Sequence, residues 1–76
     1  MDEDFKIIEI DSFEEIIKLK EGFKNNNNLG IDIRNILNQN EKRRIMDFVT
    51  GVAFGKNLKI RVINKDGVYL VYEEIE

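Results

Sequence analysis

The side chains of this sequence that could do chemistry are few, and the densest group is cationic. Lys42-Arg43-Arg44 is followed by Asp47, Phe48, Gly51, Phe54 and Gly55 at helical spacing. Three adjacent cations near a helix start, where the dipole does not favour positive charge, suit an external anionic partner, the alternative being a solvated face. Covalent and general acid–base chemistry has little to work with. There is no His and no Cys, one serine (Ser12) and one threonine (Thr50). A hydroxyl nucleophile with a His base is therefore excluded, as are thiolate and imidazole metal sites. The carboxylates form no catalytic pair by spacing: Asp11 reads as a helix-start residue, Asp32 as an outward strand residue and Asp66 as a turn residue. Asp47 lies three and four residues beyond Arg44 and Arg43, the spacing of a surface ion pair on a helix. Gly51-Val52-Ala53-Phe54-Gly55-Lys56 is one residue short of a phosphate-binding loop and falls at a helix end, where the dipole repels anions. No catalytic residue, no metal and no cofactor is expected.

Composition narrows the frame further. The chain has 76 residues, 42% hydrophobic and 36% charged, with a formal net charge of -3 and a pI near 5.0. That is one domain, residues 1–76, with an acidic tail at 1–4 and no room for a second core. A chain this short buries only about 60–65% of the surface its unfolded form exposes, so self-association is expected to help it. No apolar run approaches a membrane span, and the acidic opening Met1-Asp2-Glu3-Asp4 is unlike a secretory leader. The acidic balance argues against general binding to a phosphate backbone.

The elements that must position the cations follow from periodicity. Phe5 to Ile10 reads as a strand with apolar residues on both faces, hence inside a sheet. Ser12 with Glu15 three residues on is a capping-box signature, and Phe13, Ile16, Ile17, Leu19 and Phe23 continue a helix that ends between Gly22 and Asn25. The run Asn25-Asn26-Asn27-Asn28 is a polar loop. Leu29 to Arg34 alternates as a second strand. Asn38 with Glu41 opens a second helix, whose stripe Ile45, Phe48, Val49 and Val52 carries it to about Phe54. Leu58–Ile63 and Val68–Tyr72 are strands joined by Asn64-Lys65-Asp66-Gly67, a hairpin turn.

The order β-α-β-α-β-β predicts an α/β two-layer sandwich, with two helices on one face of a mostly parallel four-stranded sheet. The order of strands across the sheet stays open. In the last strand Val68, Leu70 and Tyr72 take one side and Tyr69 and Val71 the other, so the face without helices is expected to be apolar and to suit a homodimer contact. Gly51-x-x-x-Gly55 adds a pair of side-chain-free positions one helical turn apart. Gly51 costs the helix roughly 1 kcal/mol against Ala, which points to a close neighbour, within the chain or from another copy. The subunit contact is thus expected at Gly51, Gly55, Tyr69 and Val71.

Arg44-Ile45-Met46-Asp47-Phe48-Val49-Thr50-Gly51-Val52-Ala53-Phe54 resembles the second helix of the core domain of the SepF cell-division family, with its R-hydrophobic-hydrophobic-D-F-hydrophobic-small-G pattern. The flanks agree in layout: a strand followed by Ser12-Phe13-Glu14-Glu15 resembles the family's first strand and helix, and Leu58 to Tyr72 its terminal hairpin. The likeness spans nearly the whole chain, with motif-grade agreement in helix two. Departures are Asp32-Ile33 where the family's second strand often ends in Asn-Leu, Gly55-Lys56-Asn57 in place of its post-helix glycines, and no proline after the last strand.

The resemblance implies a cytoplasmic, non-enzymatic homodimer or higher polymer at the division site. It would bind the C-terminal tail of the tubulin-like division protein FtsZ and link its filaments to the membrane. It also implies an amphipathic N-terminal helix and linker. Four residues precede strand one here, so anchoring is expected from elsewhere and no direct lipid binding from this chain. Helix two is expected to recognise the tail, with Lys42, Arg43 and Arg44 meeting its acidic residues and Phe48, Gly51 and Phe54 its apolar anchors. The alternative is a small α/β nucleic-acid-binding module, disfavoured by the net charge and by the lack of a Gly-x-x-Gly clamp or a stacking aromatic strand motif.

Overall fold

The computed structural model describes residues 6–74. The acidic opening and Phe5, the expected start of strand one, lie outside them. The elements are β1 (Lys6–Glu9), a 3-10 turn (Phe13–Glu15), α1 (Ile16–Asn25), β2 (Leu29–Asp32), α2 (Gln39–Lys56), β3 (Lys59–Asn64) and β4 (Val68–Tyr72). Element order and type follow the sequence periodicity closely.

Both helices have identifiable starts. Asn38 caps α2, its side-chain oxygen accepting from the Glu41 backbone N–H at 3.0 Å. That bond satisfies one of the donors every helix start leaves unpaired. The box expected at Ser12 forms only in part. Ser12 makes no side-chain cap bond, while the Glu15 carboxylate accepts from the Asp11 N–H at 2.9 Å, and the first turn is 3-10 rather than α. At its far end α2 runs two residues past the expected Phe54. It stops where Asn57 turns left-handed at φ 61 and the Leu58 N–H reaches back to the Ala53 carbonyl at 2.8 Å, a Schellman-type exit.

The four-stranded sheet has the order β1-β2-β4-β3 and is mixed, which corrects the expected mostly parallel sheet. β1 and β2 pair in parallel, but β4 pairs antiparallel with both β2 and β3. The hairpin strand inserts between β2 and β3 instead of adding at the rim, so two of the three neighbouring pairs become antiparallel. Side-chain chemistry explains the choice. β4 is uncharged throughout, Val68-Tyr69-Leu70-Val71-Tyr72, and takes the interior. β3 carries Lys59 and Arg61 and takes an edge, where charge blunts pairing with other chains. β1, with Lys6 and Glu9, is the other edge, not the interior strand its isoleucines suggested.

Cross-strand register decides which face the helices cover. Leu29 pairs with Val71 and Ile31 with both Ile8 and Tyr69, and paired residues share a face. On this face Ile10, Leu29, Ile31, Ile33 and Val71 are fully buried against Leu19, Ile45 and Val49 of the helices. Each such side chain contributes roughly 1.5–3 kcal/mol by leaving water. No described charged side chain is buried with them. Gly22 lets α1 lie close to the sheet, since a Cβ there would stand 2.7 Å from the Ile8 Cδ1.

Candidate partner-binding site

The start of α2 and the β3–β4 turn together enclose a concavity of about 780 Å3. Lys42 and Arg43 enter from the first turns of α2, Lys65 and Asp66 from the hairpin turn and Arg34 from the loop after β2, while Met46 and Tyr69 supply apolar surface. The turn is held by its own hydrogen bonds. Asp66 N–H donates to Asn64 Oδ1 at 2.7 Å, Gly67 N–H to the Asn64 carbonyl at 3.0 Å, and the Ile33 N–H to the Gly67 carbonyl at 2.8 Å. Gly67 sits at φ 136, a conformation that side chains rarely adopt. Lys42 Nζ spans the concavity to the Asp66 carbonyl at 3.4 Å and so ties helix to hairpin.

The cations are not equivalent. Arg34 is committed to Asp32, with Nη2–Oδ2 at 2.8 Å and Nε–Oδ1 at 3.1 Å. That forked pair, with the Arg34 backbone N–H bond next in weight, holds the Asp32 carboxyl below its ordinary value. Lys42, Arg43 and Lys65 therefore make the basin cationic, against the carboxylate of Asp66. An anionic, partly apolar chain matches that surface in charge and in its Met46–Tyr69 floor.

The structure separates residues that the sequence places side by side. Lys42 and Arg43 line the basin, but Arg44, a further 100° around the helix, lies on the other flank with its guanidinium carbon 4.1 Å from the Phe13 ring centroid. Phe48 is half-buried and packs against the core, so it presents little free surface. Phe54 is 88% exposed on the outer face of α2. Beside it a Cβ at Gly51 or Gly55 would meet nothing within 4 Å, so neither glycine serves packing within the chain. Asp47 is exposed, and among the described residues no ion pair joins it to Arg43 or Arg44.

Two of the expected subunit-contact residues are corrected. Val71 is fully buried and Tyr69 half-buried, both beneath the helices, so the sheet face left open is that of Val68, Leu70 and Tyr72. The parity of β2 holds the reason. Leu29, Ile31 and Ile33 must face the helices because the opposite parity is Gly30, Asp32 and Arg34, and register carries Tyr69 and Val71 with them. Lys65, Met46 and the basin role of Tyr69 are functional candidates that sequence reasoning missed. The Asn64–Gly67 turn was legible, but nothing local says that it folds onto the start of α2.

A second groove of about 600 Å3 runs between β1 and α1, where Lys6 and Lys18 alternate with Glu9 and Glu21. Having no net sign, it selects no charged partner. Among the described residues no helix is long and apolar enough to cross a membrane, and no three acidic side chains are grouped to hold a metal ion.

A mixed four-stranded sheet covered on one face by two helices, with a cationic basin between helix start and hairpin, defines a small α/β domain of two layers. The class has a name. Residues 6–72 match the family model described as Cell division protein SepF, and the chain belongs to that family. Its role is accordingly in cell division. A comparison with curated protein sequences finds no match.

Proposed function

We propose that this protein is a non-enzymatic cell-division adaptor that acts as a homodimer. It would bind the C-terminal tail of FtsZ in the basin between α2 and the β3–β4 turn, and so serve the link between FtsZ filaments and the membrane. The observation that supports this reading is the convergence of Lys42, Arg43 and Lys65 around the Met46–Tyr69 floor on a chain of this family. An acidic tail gains charge-assisted hydrogen bonds at the rim while an apolar residue covers Tyr69 and Met46. The outer face of α2, with Gly51, Gly55 and the exposed Phe54, is a candidate subunit contact and a continuation of the tail surface.

Fluorescence anisotropy with a labelled FtsZ C-terminal peptide tests the reading. The chain should bind, and Arg43→Glu should weaken binding at least tenfold with an unchanged circular dichroism spectrum. An unaffected affinity would remove the basin from the account.

A further inference from the structure

Met46 is the only sulfur among the described residues, and it lies in the lining of the basin. The chain has no Cys, no Trp and no His, and its other methionine, Met1, falls outside the described residues. Met46 is half-buried: it packs against the core beneath α2 and also borders the concavity. Its neighbours are cations. Lys42 and Arg43 stand four and three residues before it on α2 and so share its side of the helix. A long helical side chain leans toward the helix start, which carries the thioether over the turn that bears both of them. Lys65 closes the rim from the hairpin turn, and Tyr69 shares the floor.

We infer that Met46 is a modification site, and that its oxidation to the sulfoxide closes the basin to an acidic, partly apolar chain. The oxidant is a hydroperoxide, hydrogen peroxide being the simplest. The thioether sulfur attacks one peroxide oxygen and the O–O bond breaks. That oxygen stays on sulfur as the sulfoxide, and the other leaves as water with both protons, so sulfur loses the electron pair that peroxide gains. The product differs from its parent in both properties the basin uses. A flexible apolar side chain becomes polar and chiral, and the floor no longer suits an apolar anchor. The new oxygen is also a hydrogen-bond acceptor set among Lys42, Arg43 and Lys65, where it competes for the donors that a carboxylate would take. Both effects have the same sign. The fold keeps its support, because the fully buried side chains of α2 are Ile45 and Val49. Methionine sulfoxide reductases restore the thioether, so the change is reversible.

This rests on the basin as the tail site, and the experiment keeps the two apart. The whole chain is treated with hydrogen peroxide, checked by peptide mass spectrometry and circular dichroism, and titrated with the labelled FtsZ C-terminal peptide before and after. Met46 should gain one oxygen, and tail affinity should fall about tenfold with an unchanged spectrum. Sulfoxide reductases of both stereospecificities should restore it. Met46→Leu keeps an apolar floor without sulfur and should bind within about twofold of the parent, before and after peroxide. Because Met1 is the one methionine that variant retains, it also reads any effect of oxidation there. Met46→Gln, polar and of similar length, should bind as weakly as the oxidised parent. A parent that fails to bind the peptide before oxidation overturns the tail reading and this inference with it. Where the parent binds, the inference alone is overturned by any of four results: a Met46 that resists peroxide, an oxidised chain of parental affinity, a spectrum that collapses on oxidation, or a Met46→Leu chain that peroxide weakens equally.

Discussion

Arg44 lies 4.1 Å above the ring of Phe13, and that contact takes it out of the cationic cluster to which it belongs in sequence. The same Phe13 donates its backbone N–H to Glu41 Oε2 at 3.3 Å, so the first two turns of α2 hold the 3-10 entry to α1 through two side chains. A guanidinium seated on an aromatic ring contributes about 0.5–1 kcal/mol at an exposed site. Arg44→Ala should therefore lower stability by about that amount, and tail affinity should stay within twofold. Urea denaturation and peptide anisotropy on one preparation check both halves. A large loss of affinity without loss of stability would return Arg44 to the recognition surface.

Lys65 is the converse case, distant in sequence and adjacent in space. Because it faces Lys42 and Arg43 across the basin, Lys65→Glu should weaken tail binding about as much as Arg43→Glu does. Both losses should shrink as salt rises from about 50 mM to about 500 mM, since exposed charges are screened within a Debye length. The fold should not notice, because the Asn64–Gly67 turn is held by backbone bonds and by the Asn64 side chain. Peptide titration at the two salt concentrations is the measurement.

These two residues mark where sequence reading reaches its limit. α2 was legible nearly in full because everything that makes it is local: Asn38 with Glu41 at its start, the Ile45–Val49–Val52 stripe and Asn57 at its end. The parity of the open sheet face was also within reach, since Gly30, Asp32 and Arg34 cannot all lie beneath helices, but it required taking β2 as the reference instead of β4. Strand order was partly encoded in charge, with Lys6 and Glu9 on β1, Lys59 and Arg61 on β3 and no charge on β4. The basin was not encoded locally. It depends on β4 inserting between β2 and β3, which brings the hairpin turn to the start of α2, and that placement is a property of the assembled sheet.

Stability should fall with pH on the acid side. Asp32, paired with Arg34, and Glu15, which accepts from the Asp11 N–H and from Lys18, both have carboxyl pKa values lowered by folding. A group lowered in this way stabilises the folded state above its unfolded pKa and loses that contribution as pH falls through the folded value. The melting temperature should then be level between about pH 6 and pH 8, where a chain without His has almost nothing to titrate. It should fall progressively below the ordinary glutamate value of 4.5. Asp32→Asn and Glu15→Gln should each flatten the acid limb in melts taken across this range. A midpoint that varies as steeply in the double variant as in the parent would assign the acid sensitivity to other carboxylates.

Gly51 separates stability from association. A Cβ there meets nothing within 4 Å, and its φ lies in the ordinary helical range, so the glycine answers no need inside the chain. Replacing a glycine inside an exposed helix with alanine stabilises by roughly 0.5–1 kcal/mol, through the lower entropy of the unfolded chain. Gly51→Ala should accordingly raise the denaturation midpoint. Gly51→Leu should be tolerated by the monomer for the same reason. If the outer face of α2 contacts a second copy or the tail, the isobutyl group next to Phe54, itself 88% exposed, should weaken that contact several-fold. Denaturation, sedimentation and tail anisotropy on the two variants give three independent readings. A Gly51→Leu chain with parental mass and parental affinity would show that the outer face of α2 contacts neither partner.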